Sequence, residues 1–202
     1  MDKLFRCHCS QISKIMSPSK SEGLSVTCQT FLKEWYSGDR EEIRSKYLDK
    51  GNQVEQDNID FMARVLNLGI LEKNRVYYSD EYLIGTPDVT TRLADVKSPW
   101  DRKTFLDNIK GINPEHAWQM RGYMRLLDRS DSIVFYGLQN TPGTDWTDEV
   151  DYSHIPEPQR WIAYRVERDA EIEQQIIDRV ILCRKWLEEY HEEVISKLGK
   201  IN

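Results

Sequence analysis

The sequence predicts an α/β fold: a central mixed sheet flanked by helices, with a long helix at the C-terminus. Three observations carry that expectation. Helical spacing of apolar residues in the first third gives way to short β-type runs between residues 75 and 97. A further helix then leads into 132–138, where Ile133-Val134-Phe135-Tyr136 is the apolar run of a central strand. Finally, Asp169 stands as a cap before a long helical pattern that reaches about Lys197.

The elements follow in order. Residues 10–16 predict a short helix with Ile12, Ile15 and Met16 on one side, and the Ser-rich 17–21 a loop. A helix over 24–35 ends at Ser37-Gly38, and a longer one over about 52–67 closes at Leu68-Gly69. The β region opens with Val76-Tyr77-Tyr78 and Tyr82-Leu83-Ile84, continues as two short strands about a tight turn at Thr91-Arg92, and stops at Ser98-Pro99-Trp100. A helix over 114–127 accepts Pro114 in its first turn. A Pro- and Asp-rich loop over 141–158 precedes a last strand over 161–166. With no internal repeat and no low-complexity linker, residues 1–202 read as one domain.

Composition is that of a globular protein, with 39% hydrophobic and 31% charged residues. No apolar run approaches the ~20 residues of a membrane span, and the N-terminal charges precede no apolar core of a secretory signal. The expected location is the cytoplasm, away from membranes. A net charge of −6 argues against a protein that coats nucleic acid, though a basic stripe at Lys97, Arg102, Lys103, Lys110, Arg121, Arg125 and Arg129 precedes an acidic concentration from Asp145 to Glu193, an asymmetry that suits DNA on one face. The cysteines, Cys7, Cys9, Cys28 and Cys183, are expected as free thiols.

The chemistry concentrates in Pro87-Asp88 and Asp95-Val96-Lys97. A two-residue turn at Thr91-Arg92 pairs 90 with 93, 89 with 94 and 88 with 95, setting Asp88 opposite Asp95 with Cβ atoms roughly 5 Å apart. Like charges so placed destabilise a sheet unless a divalent cation lies between them. Lys97 shares the face of Asp95, while Ala94 and Val96 make the other face apolar. On the preceding helix Glu55, Ile59, Met62 and Leu66 share a face, which heads an apolar stripe with a carboxylate. A first-turn position, where an acid suits the helix dipole, is the alternative for Glu55. Gln119 and Tyr123 share another helical face, and both residue types are also ordinary helix and core residues.

Together these segments resemble the PD-(D/E)xK nuclease superfamily, whose core is restriction-endonuclease-like. Gln119-x-x-x-Tyr123 is similar to the Q-x-x-x-Y motif of its RecB-like branch. Lys50-Gly51-Asn52-Gln53-Val54-Glu55 is similar to the Gly-x-x-x-Glu helix start of lambda-type phage exonucleases, the YqaJ-like viral recombinases. The segment from Phe5 to Met16 resembles their N-terminal basic residue and serine before a short helix.

The resemblance implies that Glu55, Asp88, Asp95 and the Val96 carbonyl hold Mg²⁺ or Mn²⁺, hard cations that take oxygen ligands. It implies that Lys97 orients or deprotonates water, and that Gln119 and Tyr123 position the site or touch DNA. Arg6 and Ser10 would bind a 5′ phosphate, with Lys3 an alternative to Arg6. The implied activity is exonucleolytic digestion of linear duplex DNA from 5′ ends, leaving 3′ single strands for phage-type recombination in a bacterial or infected cell. A trimeric ring and a single-strand annealing partner are implied by the same resemblance. Three readings remain open beside it: a structure-specific endonuclease, a Cas4-like nuclease with an iron–sulfur cluster on the cysteines, and a catalytically silent DNA-binding module. The histidines show no metal-ligand spacing, with His116 expected at solvent or packed at a helix start. Trp118, Trp146, Trp161 and Trp186 are expected to pack, and Trp100 could meet DNA.

Overall fold

A computed structural model describes residues 4–20, 22–38, 46–141, 143 and 148–199, with backbone alone for 46–49 and 52. Lys3, Asp145 and Trp146, named above, lie outside the described residues. The elements are β1 (Cys7–His8), α1 (Ile12–Ile15), α2 (Val26–Ser37), α3 (Lys46–Val65), β2 (Tyr78–Ser79), β3 (Leu83–Gly85), β4 (Ala94–Lys97), α4 (Arg102–Leu106), α5 (Pro114–Leu126), β5 (Asp131–Gly137), β6 (Trp161–Glu167) and α6 (Ala170–Lys197).

The strands form two three-stranded mixed sheets, ordered β1-β3-β2 and β4-β5-β6, where one central sheet was expected. β4 runs parallel to β5, with Asp95 opposite Val134 and Lys97 opposite Tyr136, and β6 pairs antiparallel on the far side of β5. Alternation along β4 and β5 sorts their side chains between two cores. Ala94, Val96, Ile133 and Phe135 join Ile59, Phe61 and Met62 of α3. Val134 and Tyr136 face the other way, into a core with Met120, Tyr123 and Met124 of α5 and Val180 and Leu187 of α6. Asp95 and Lys97 therefore lie on the α5 side of the sheet.

Local chemistry sets the helix limits. Ser25 caps α2 by accepting the N–H of Cys28, and Gly38, at φ +75°, supplies the left-handed residue that ends it. Asn113 caps α5 with Pro114 in its first turn, and Asp169 caps α6 through the N–H groups of Glu171 and Ile172. α4 is a five-residue helix with a capping box between Asp101 and Thr104, too short to show a period in sequence.

Three expectations are corrected. α3 begins at Lys46, more than a turn before residue 52, so Glu55 sits mid-helix and the first-turn dipole account of it fails. The run at Val76-Tyr77 stays out of the sheet because the Asn74 side chain bonds both the N–H and the C=O of Val76. The two-strand hairpin is reduced to one bridge, Val89 with Ala94, closed by reciprocal bonds of 3.2 and 3.1 Å around a turn over residues 90–93. Leu93 gives its carbonyl to Ile133 instead, and Asp88 gives its own to Asn74. The predicted register nevertheless holds at its central pair.

Candidate active site

Asp88 precedes Val89 and Asp95 follows Ala94, both at the end of this bridge away from the turn. Asp88 accepts the backbone N–H of Val96 at 2.8 Å, which ties its carboxylate to β4. Burial, and then the charge of Asp95, raise the Asp88 pKa well above the carboxylate range. Asp95 is 1% exposed. Its Oδ2 lies 2.7 Å from the Lys97 ammonium, in an ion pair too poorly angled to count as a hydrogen bond. Burial lowers the pKa of Lys97, but Asp95 and Asp88 outweigh it and hold the group above the usual lysine value. Lys97 is therefore an ammonium at neutral pH.

Gln119 joins both ends of that pair. Its Oε1 accepts from Lys97 at 3.2 Å, and its Nε2 donates to Asp95 Oδ1 at 3.1 Å. The same amide reaches the hydroxyl of Tyr123, which donates to the Thr86 carbonyl at 3.1 Å. Tyr123 is 4% exposed, with its hydroxyl spent inside the protein, so it holds Gln119 and the chain before Asp88 instead of meeting DNA. Gly85 makes room for it, since a Cβ there would stand 2.7 Å from the ring.

Glu55 arrives from α3 and lines one cavity with Asp88, Val96 and Lys97, of ≈ 620 Å³ and also walled by Trp100 and His116. Its carboxylate is 2.5 Å from Lys73. Asn58, one turn along α3, donates to the Lys97 carbonyl at 3.0 Å and to Ser98 Oγ at 2.9 Å, locking the helix onto the end of β4.

Among the described residues no three His, Cys, Asp or Glu side chains are grouped as a formed metal site. Each acid instead has a protein partner: Lys73 at Glu55, Lys97 at Asp95 and the Val96 N–H at Asp88. The donor chemistry still fits a hard divalent cation. It consists of carboxylate oxygens, with two mutually repelling acids, Asp95 buried and Asp88 partly so, and an Asp95 oxygen that accepts no well-aligned hydrogen bond.

Arg6 and Ser10 are exposed, one before β1 and one in the 3-10 turn after it. Neither makes a hydrogen bond or ion pair with the acids among the described residues. The basic stripe is also dispersed. Arg125 is paired with Asp80 and Glu173, and Arg121 lies 5.0 Å from the ring of Trp118, while Arg102, Lys103 and Lys110 are exposed. All four cysteines are buried free thiols, with Cys28 and Cys183 sulfurs 3.7 Å apart.

Sequence reasoning missed three residues. His116 and Tyr136 meet through a 2.7 Å contact at the cavity wall. The cross-strand position of Tyr136 beside Lys97 was not readable without the β4–β5 register. Lys50, 2% exposed, directs its ammonium to the carbonyls of Pro99, Trp100 and Gln139 and to the hydroxyl of Thr141, at 2.7–2.9 Å. It pins α3 to the segments that follow β4 and β5. No helix among the described residues is long and apolar enough to cross a membrane.

No protein-family model and no curated protein matches the chain. Solved structures do. A phage-related exonuclease from Haemophilus somnus 129PT superposes with a TM-score of 0.81 at 22% identity, covering 95% of this chain and 97% of that one. An alkaline exonuclease (LHK-Exo) from Laribacter hongkongensis superposes with a TM-score of 0.69 at 19% identity, covering 97% and 96%. Its complex with dAMP matches at the same TM-score and 20% identity.

Proposed function

We propose, from the fold the chain shares with a phage-related and an alkaline exonuclease, that it is a metal-dependent deoxyribonuclease that hydrolyses linear duplex DNA from its 5′ ends. One observation carries the reading: Asp95, Lys97 and Gln119 form a bonded cluster to which Asp88 is tied through the Val96 N–H, and Asp88 and Lys97 line the cavity with Glu55. The names of the structural neighbours support it further.

In this reading Glu55, Asp88, Asp95 and the Val96 carbonyl hold Mg²⁺ or Mn²⁺. The ion, when bound, polarises a phosphoryl oxygen and acidifies a water. The rest belongs to the chain's own residues. Lys97, kept charged by its neighbours, donates to the attacking water and to charge developing on the phosphate. Gln119 keeps Lys97 and Asp95 in register, and Tyr123 keeps Gln119 in place. Arg6 and Ser10 take the 5′ phosphate, and the exposed Arg102, Lys103 and Lys110 contact the duplex backbone.

The product is a 3′ single strand, which suits delivery to an annealing protein during phage-type recombination in the cytoplasm. One domain of 202 residues, assembled as a ring of three, would allow the duplex to stay enclosed during successive cuts. The test is incubation with Mg²⁺ and an end-labelled linear duplex beside a closed circle. Loss of the linear form alone, from the 5′ end and blocked by chelator, is expected; equal cutting of both forms would make the protein an endonuclease.

A further inference from the structure

The cavity extends past Lys97 to a wall that the proposed reaction does not yet use, and His116 and Tyr136 stand in it. Tyr136 is opposite Lys97 across the β4–β5 ladder, and His116 is one helical turn before Gln119 on α5. The Tyr136 hydroxyl accepts the N–H of Asn113 at 3.1 Å and lies 2.7 Å from His116 Nδ1. A phenol has one proton. With the Asn113 N–H already accepted, donation of that proton to Nδ1 pairs both the phenol proton and the Nδ1 lone pair. Burial keeps the phenol protonated, as its raised pKa indicates. The imidazole must then be neutral, with its own proton on Nε2. Burial, and next the charge of Lys97, push the His116 pKa down to about 4, in agreement with that tautomer. Among the described residues no protein group bonds Nε2, on a ring that lines the cavity.

We infer that His116, held by Tyr136 as the Nε2–H tautomer, donates a hydrogen bond to a backbone phosphate of bound DNA beside Lys97. The inference rests on the nuclease reading above. The choice of a neutral donor has a physical reason. A second cation next to the Lys97 ammonium would repel it, whereas an imidazole N–H meets a phosphate oxygen without that penalty. Tyr136 acts through His116 and is a positioning residue.

The experiment has two parts on the full chain. Duplex-end affinity is measured with Ca²⁺ in place of Mg²⁺ for wild type, His116→Phe and Tyr136→Phe, and the imidazole tautomer is read by ¹⁵N NMR on the wild type near pH 7. His116→Phe should lose about tenfold in affinity, the worth of one hydrogen bond to a charged acceptor, with a smaller loss for Tyr136→Phe and the wild-type proton on Nε2. Unchanged affinity in His116→Phe, or a proton on Nδ1, overturns the inference, and the NMR reading decides it even if either variant fails to fold. Wild type that neither binds nor cuts DNA sinks the nuclease reading itself. Wild type that does both, with His116→Phe binding equally well, sinks this inference alone.

Discussion

The Asp88 carboxylate takes the N–H of Val96 at 2.8 Å, and so a residue from outside the sheet is fastened between Asp95 and Lys97. Folding spends free energy there. Two acids are held together with one ammonium between them, and Asp88 responds by binding its proton more tightly than a free carboxyl does.

That arrangement predicts a trade of stability for function. The folded pKa of Asp88 lies above the ordinary 3.8, so over the window from 3.8 to the raised value the folded state holds more protons than the unfolded chain. Stability from this group is therefore lost as pH rises through that window. Asp88→Asn removes the charge while keeping the shape. It should raise the Tm of the metal-free protein by several degrees at pH 7 and abolish Mg²⁺-dependent digestion. Calorimetry with chelator present checks the first, and a lower Tm would refute it.

His116 runs in the opposite sense. Its folded pKa of about 4 is below the ordinary 6.5, so the unfolded chain takes up the proton first as pH falls. Stability is lost between about 6.5 and 4, by up to roughly 3 kcal/mol. Denaturant titrations at pH 7 and pH 4.5 should show a smaller pH dependence for His116→Phe than for wild type. Identical dependence would mean that the imidazole is charged in the fold.

Lys50 predicts a structural lesion that reaches the site. Lys50→Met leaves the carbonyls of Pro99 and Gln139 without this donor, while that of Trp100 keeps the Thr141 hydroxyl, which should cost about 3 kcal/mol in urea unfolding at pH 7. Burial lowers the Lys50 pKa to about 8 from 10.5. The unfolded chain therefore holds more protons over that window, and the stability due to this group rises with pH from about 8 to 10.5. The gap between wild type and Lys50→Met should widen accordingly, and a gap that narrows contradicts the sign.

Gly137→Ala tests the link between α3 and β4. A Cβ on Gly137 would stand 1.8 Å from Oδ1 of Asn58, the residue whose amide bonds the Lys97 carbonyl. Asn58 must move, and Lys97 with it. Digestion should fall by at least about tenfold, since about 1.4 kcal/mol of misplacement suffices, and undiminished activity would show that the Asn58 bond does not set the lysine.

Much of this was legible in the residues because it depends on local periodicity and caps. Gly38, Pro114 and Asp169 mark helix ends by their own local chemistry alone. The pairing of Val89 with Ala94, and with it the approach of Asp88 to Asp95, followed from the tight turn placed at Thr91-Arg92. What was not legible depends on non-local register. Nothing near Tyr136 announces that Lys97 lies across the ladder, and nothing near Lys50 announces three carbonyls from two distant loops. The start of α3 was missed because residues 46–51 carry few apolar side chains to set a period.

The most direct test is the rate of Mg²⁺-dependent nucleotide release from a linear duplex by wild type and by Asp95→Asn, a change that keeps volume and the Gln119 contact but removes the charge. The account predicts a loss of at least about a thousandfold, comparable to deleting a central electrostatic group, with the fold intact by circular dichroism. Release by Asp95→Asn at the wild-type rate would contradict it.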